Sequence, residues 1–433
     1  MGGTHPDDPR PPVSPRARRL ALLVLVPIAV LTLLGLVLLW PDSKPVQGPD
    51  GPDRVSGRVV EVHPAACPEL PEMEEPAADV GPGECGTVTV ELTDSPRAGE
   101  RITADLPFGP GAITVGDGDK VVLLHLPDAL SGQPYSIVDH QRSTPLWLLG
   151  AAFAAAVIAF GRWRGLRALA GLGVTFAVLL FFIVPAILDG RSPLLVAIVG
   201  SAAIMLTVLY LTHGFSLTTT IAVAGTLASL TITAALSALA TTGTRLSGIA
   251  DETSTYLTLT HGEVNMRGLL LAGIVIGSLG VLDDVTVTQS TTVAELARAN
   301  ATYGFRQLYR AATRVGRAHI ASVINTIVLA YAGASLPLML LFAAGNDPIG
   351  ELLTSELIAQ ELVRSAVGTL GLIAAVPITT ALAAALAARG NAVAVPAGPA
   401  SGPPAPRTAQ RPDARPPADP WMAFVERGEP DRG

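Results

Sequence analysis

Charge is scarce in this chain. Asp, Glu, Lys and Arg make up 15% of its 433 residues, whereas a soluble globular protein carries about a quarter. Lysine is nearly absent, with Lys44 and Lys120 the only two. What is lacking in charge is present as apolar sequence: hydrophobic residues reach 49% and the mean hydropathy is +0.46. Such a composition excludes a soluble globular domain and points to an integral membrane protein. The formal net charge of -7 says little about partners, because the charges are unevenly spread, and no nucleic-acid partner is expected. Catalytic signatures are also missing. There is no Walker A sequence, H-E-x-x-H, G-x-S-x-G, C-x-x-C or dinucleotide fingerprint, so no enzyme activity, cofactor or metal site is expected. Cysteine is limited to Cys67 and Cys85, both in the one long polar segment between apolar runs. Outside the cytoplasm they would pair as a disulfide, worth about 3 kcal/mol for a loop of this size. Free thiols or a metal pair are the alternatives, and no nearby His/Cys set supports a metal.

The apolar runs define the architecture. Residues 1–19 are Pro-rich, polar and expected to be disordered, ending in Arg16, Arg18 and Arg19. Leu20–Trp40 is long enough to cross a core of about 30 Å. It is longer than a signal peptide's apolar region and ends in Trp40-Pro41-Asp42, so it reads as a retained anchor. Seven further spans follow: Leu146–Phe160, Ala168–Leu188, Leu194–Leu211, Leu217–Ala240, Gly268–Thr288, Ile320–Ala344 and Ser365–Ala388. The fold expected is a mainly α, polytopic bundle of eight spans, with residues 146–388 forming a seven-span unit. Between anchor and bundle, residues 54–142 switch to alternating periodicity. Val55–Val62, Thr87–Leu92, Ile102–Leu106 and Val121–Leu124 read as strands. Four or five short strands in this space suggest a small extracytoplasmic β-rich domain of OB-like type. Residues 389–433 are Pro/Ala/Gly/Arg-rich and expected to be disordered.

Cytoplasmic loops carry the excess of Lys and Arg. An N-in, eight-span chain puts Arg16, Arg18, Arg19, Arg162, Arg164, Arg167, Arg298, Arg306, Arg310, Arg314, Arg317 and Arg389 on one side, with both termini. A multi-pass protein of a bacterial plasma membrane follows, in contact with anionic inner-leaflet lipids.

One stretch concentrates the chemistry. Gly268 begins an apolar helix in which Gly273 and Gly277 form a G-x-x-x-G face, continued by Gly280, where another helix can approach closely. Asp283 and Asp284 then fall about 22 Å along the axis, still within the apolar layer. Asp283, Thr286, Gln289 and Ser290 share a face, while Asp284, Thr288 and Thr291 lie on the adjoining one. A carboxylate at this depth is costly unless paired, protonated or facing water. It therefore marks an ion- or proton-coupled site, or else a helix that ends at Leu282 with the pair at the interface. An intramembrane acid pair for catalysis needs carboxylates converging from two helices, and adjacent residues point about 100° apart. Arg306, Arg310, Arg314 and Arg317 form one stripe on a helix over Tyr303–His319, expected to lie on the inner leaflet; an anionic substrate or pairing with Asp283/Asp284 is the alternative. Asn325 sits one turn into the next span, able to hydrogen-bond across helices. His213 and His319 read as packing or interfacial residues.

The run Gly277-Ser-Leu-Gly280-Val-Leu-Asp283-Asp284-Val-Thr-Val-Thr-Gln289, followed by Glu295-Leu296 and then Ala318-His319-Ile320-Ala321-Ser322-Val323-Ile324-Asn325-Thr326, resembles the YibE/F family of bacterial membrane proteins. The resemblance covers roughly Arg54–Ala388. It implies an anchor, an outer β-rich domain and a seven-span bundle, with a permease role proposed for the family on architecture. The functional expectation is a permease moving a small solute or ion. Asp283 and/or Asp284 would be its coupling carboxylate, with Gln289 and Asn325 as polar neighbours. The rival is a non-transporting scaffold or envelope-assembly factor acting through the outer domain; a weaker third is an enzyme on lipid-linked substrates. A homo-oligomer is compatible with either of the first two.

Overall fold

The computed structural model describes residues 15–42, 53–65, 85–94, 96–108, 111–126, 133–345 and 348–394. Of the tail 389–433 expected to be disordered, residues 389–394 are instead the end of the last helix, and the rest, with most of the N-terminal segment, lies outside the described residues. Helix α1 runs over Pro15–Leu38, so helical structure begins a turn before the expected apolar boundary.

Five strands follow: β1 (Arg54–Ala65), β2 (Cys85–Leu92), β3 (Arg101–Asp105), β4 (Lys120–His125) and β5 (Tyr135–His140). They close into a barrel in the order β1-β2-β3-β5-β4, with β1 pairing β4 antiparallel and β3 meeting β5 in parallel at Asp105 and Ser136. This strand order is that of an OB-type barrel. Alternation drives it: Val88, Val90 and Leu92 of β2 point inward with Val59, Val121 and Leu123, all at most 1% exposed. Gly57 allows the closure, since a Cβ there would press on Val90 and Leu123. Cys85 is disulfide-bonded; its expected partner, Cys67, lies outside the described residues. At the exit from β5, Asp139 pairs with Arg142 at 2.6 Å. Bonds from the Arg142 side chain and then the His140 N–H hold the Asp139 carboxyl below its usual pKa.

The remainder is helical. Helix α2 covers Ser143–Val178, continues through a π-helical turn at Leu179–Ile183 and ends as α3, Val184–Leu188. The 46 residues from Ser143 to Leu188 would extend about 69 Å if straight, more than twice the apolar thickness of a bilayer. They are not straight. Arg162 adopts φ 49°, ψ −128°, and a Cβ on Gly165 would strike the Val157 carbonyl, so the chain doubles back there. Then come α4 (Pro193–His213), α5 (Leu217–Gly243), α6 (Glu252–Thr260), α7 (Met266–Ala299), α8 (Phe305–Ala334), α9 (Leu336–Ala344), α10 (Ile349–Thr354) and α11 (Glu356–Ala394). Among the described residues, six helical segments are long and apolar enough to cross a membrane, and Leu22–Leu38 is a shorter apolar one.

Two boundaries differ from expectation for physical reasons. The basic segment Tyr303–His319 is not a separate surface helix: α8 carries it without a break into the next span, because Leu308, Ala312, Gly316 and Ile320 form a buried seam across the junction. The span expected over Ile320–Ala344 divides at Ser335, just before Pro337, which has no N–H to continue the ladder and whose ring would collide with an α8 carbonyl.

The bundle's core joins Met205 and Leu209 of α4, Leu230 of α5, Val275 and Leu282 of α7, and Leu372 and Val376 of α11. α5, α7 and α11 form its centre.

Candidate functional site

Within that apolar core, hydroxyls and glycines are built into the centre of the bundle. On α5, Thr226, Ser229, Thr233, Ser237 and Thr241 recur at three- and four-residue steps and are fully buried, giving one polar stripe down the helix. Most of these hydroxyls bond back to the preceding turn, as Ser229 does to the Gly225 carbonyl at 2.8 Å and Thr233 to the Ser229 carbonyl at 2.9 Å. That mode satisfies a hydroxyl within its own helix. Thr226 also bonds across to Thr286 of α7 at 2.5 Å.

Glycines bring the helices together. A Cβ on Gly225 of α5 would overlap Thr379 of α11, and one on Gly371 of α11 would overlap Thr233 of α5. Gly316 of α8 meets Gln289 of α7, whose side-chain nitrogen donates to the Ala312 carbonyl at 2.9 Å. Gln289 is therefore a buried strut between α7 and α8.

The glycines singled out by their spacing are elsewhere. A Cβ on Gly273 or Gly280 would meet nothing within 4 Å, and one on Gly277 would find only the Tyr331 hydroxyl at 3.5 Å. That face is exposed in this chain, so the close approach expected of the G-x-x-x-G run is not made within it. The approach occurs through Gly225, Gly371 and Gly316 because their partners are short β-branched, amide or small side chains. Gly277 instead borders an apolar groove of about 310 Å³ between α7, α8 and α11.

The two adjacent aspartates separate. Asp284 is exposed on the same side as Gly273, Gly277 and Gly280, while Asp283 is half-buried. α7 runs on well past both, to Ala299, so they do not mark its end. Oδ1 of Asp283 is buried and has no hydrogen-bond partner, an expensive state for a carboxylate. Asn325 is exposed on α8, and among the described residues no hydrogen bond joins it to Asp283 Oδ1. Arg306, Arg310, Arg314 and Arg317 are all exposed along the first half of α8, and none forms an ion pair with Asp283 or Asp284.

Below Asp283, α7 lines a polar cavity of about 470 Å³ with Val287, Ser290, Thr291, Ala294, Glu295 and Arg298. Arg164 at the α2 turn, His213 at the end of α4, and Ser216, Thr218, Thr219 and Ala222 at the start of α5 complete it. Asp283 precedes Val287, Ser290 and Ala294 by four, seven and eleven residues, which places all four on one helical face. Its Cα lies about 6 Å further along the axis than that of Val287. The start of α5 is fixed locally: Ser216 caps it by accepting from the Thr219 N–H at 3.0 Å. The cavity was not legible in the sequence. Arg164 stood out as part of a basic cluster, but only the fold brings it to α7 beside the start of α5. Among the described residues no group of His, Cys, Asp and Glu is placed to hold a metal ion.

Residues 149–389 match the family described as YibE/F-like protein, more than half the chain. The match starts after the barrel, so the resemblance expected from Arg54 onward is established for the bundle alone. No curated protein and no solved structure matches the chain.

Proposed function

The chain belongs to the YibE/F-like family, and from that premise and the geometry around α7 we propose that it is a permease for a small solute or ion rather than an enzyme. The observation that carries this reading is the buried, unpartnered Asp283 oxygen on the helix face that lines the polar cavity. A carboxylate held this way in a membrane bundle binds a proton or cation as part of a transport cycle. Hydroxyls in the cavity replace the hydration shell of an entering solute, and the close packing through Gly225, Gly371 and Gly316 seals the bundle beyond it.

The reading takes eight spans. They are the six long apolar segments, with Ser143–Leu188 counted twice because it reverses at Arg162, together with α1. With the N-terminus inside, Arg162, Arg164, Arg167 and the α7–α8 arginines fall on the cytoplasmic side. The cavity then opens inward, both termini are cytoplasmic, and the barrel stands outside a bacterial plasma membrane, where it gates or recruits. The exposed arginines of α8 meet anionic lipids of the inner leaflet.

Proteoliposomes containing the wild type and Asp283→Asn test the proposal. Proton or ion flux carried by the wild type and lost in a normally folded Asp283→Asn supports it. Unchanged flux in the variant, or its unfolding with no flux from the wild type, favours a structural role for Asp283 and a scaffold.

A further inference from the structure

The inward cavity has a charge character that selects its ligand. Two guanidiniums and one carboxylate line it: Arg164, Arg298 and Glu295. Glu295 is engaged by Arg298 at 2.5 Å, so their charges offset and Arg164 leaves the lining net positive. Donors face the same space from three separate elements. Arg164 comes from the α2 turn, Thr291 from α7, and the first turn of α5 supplies Thr218. That turn also carries N–H groups with no partner inside the helix, because Ser216 Oγ serves only Thr219. His213 adds an imidazole from the end of α4. Donors spread over several directions suit a tetrahedral oxyanion with acceptors on every side; a planar carboxylate is satisfied by a single guanidinium fork. A volume of about 470 Å³ also accommodates an organic group larger than the oxyanion alone.

We propose that this cavity is a binding site for a phosphate-bearing anion, held between Arg164 and the start of α5. As the substrate site of a transporter it rests on the permease reading above; as a binding site it does not. The phosphate is either that of a free solute or that of a lipid headgroup entering from the inner leaflet, and the chemistry is the same.

The test is titration of the full chain with inorganic phosphate in neutral detergent, read by thermal unfolding and calorimetry. The wild type and Arg58→Gln, whose arginine is exposed on β1 of the barrel, are expected to show the same saturable stabilisation. Arg164→Gln is expected to bind about tenfold more weakly or worse, and Arg164→Lys to recover part of the loss. A parallel arm uses nanodiscs of phosphatidylcholine with and without phosphatidylglycerol. A response to phosphate in detergent identifies a free solute; stabilisation only by phosphatidylglycerol, again dependent on Arg164, identifies a headgroup. Wild type that responds to neither, or Arg164→Gln that responds like wild type, overturns the proposal. Loss of the phosphate response with Asp283-dependent flux intact removes the anion and leaves the permease. Phosphate binding without Asp283-dependent flux does the reverse.

Discussion

Replacing Gly225 with Ala tests how the centre of the bundle is held together. The new Cβ would overlap Thr379 Oγ1 and lie 3.1 Å from Thr379 Cβ and 3.2 Å from its Cγ2. Overfilling a packed interface costs about 1–3 kcal/mol, while the better helix propensity of Ala returns about 1 kcal/mol. The net is a loss of about 1 kcal/mol, or roughly 2–4 °C in Tm. Thr379 Oγ1 is itself buried without a partner, so Thr379→Ala removes the clash without leaving a broken hydrogen bond. The double variant should recover most of the loss, a coupling of at least about 0.5 kcal/mol. Gly280→Ala is the counterpart, since its Cβ meets nothing. It is expected to be neutral or stabilising by up to about 1 kcal/mol. Thermal unfolding of the wild type and the four variants in one detergent decides. If Gly280→Ala is the more damaging, or if Thr379→Ala gives Gly225→Ala no relief, the close approach of α5 and α11 is wrong.

Gln289→Leu should destabilise the bundle by about 1–2 kcal/mol, through loss of its bond to the Ala312 carbonyl, measured by the same melts. Asp251 caps α6, accepting from the Ser254 N–H at 2.7 Å in a reciprocal pair, and Asp251→Ala should cost about 1 kcal/mol. Bonds from the Ser254 backbone and then its side chain hold the Asp251 carboxyl below its usual value of 3.8. The ionised cap therefore contributes stability fully above that value and loses it as pH falls through the depressed one; in melts from pH 6 to pH 3 the gap between wild type and Asp251→Ala should narrow only at the acid end. Cys85→Ser should lower the stability of the barrel by about 2–5 kcal/mol, and reductant should do the same to wild type but not to the variant.

The parts of the fold readable in the sequence were those encoded in local periodicity. Val88, Val90 and Leu92 announce a strand half-buried in a small barrel, and uninterrupted apolar runs announce the membrane helices. Boundaries set by tertiary contacts were not readable. The buried seam from Leu308 to Ile320 that makes α8 one helix depends on α7 and α11, whereas the reversal at Arg162 falls in the break expected between Leu146–Phe160 and Ala168–Leu188, flanked by Gly161 and Gly165. The same limit applies to the site. Asp283 stood out because a carboxylate is rare in an apolar run, and its separation from Asp284 follows from helical geometry. The glycines that pack helices within this chain were not picked out, because G-x-x-x-G spacing records that a close approach is possible, not where the partner helix lies. Gly225 and Gly371 sit opposite Thr379 and Thr233 from distant parts of the chain, a pairing that spacing alone cannot carry.

The most direct measurement is the accessibility of α7 positions to a charged, membrane-impermeant thiol reagent. Asp283→Cys, Val287→Cys and Thr291→Cys would be made in the full chain, the last at an exposed position of the cavity lining, with Leu282→Cys, at a position 1% exposed, as the buried control. If Asp283 stands at the head of an inward-opening polar cavity, the first three are labelled from the cytoplasmic side and Leu282→Cys from neither. Labelling of Asp283→Cys only from outside, or from neither side while Thr291→Cys reacts, would contradict it.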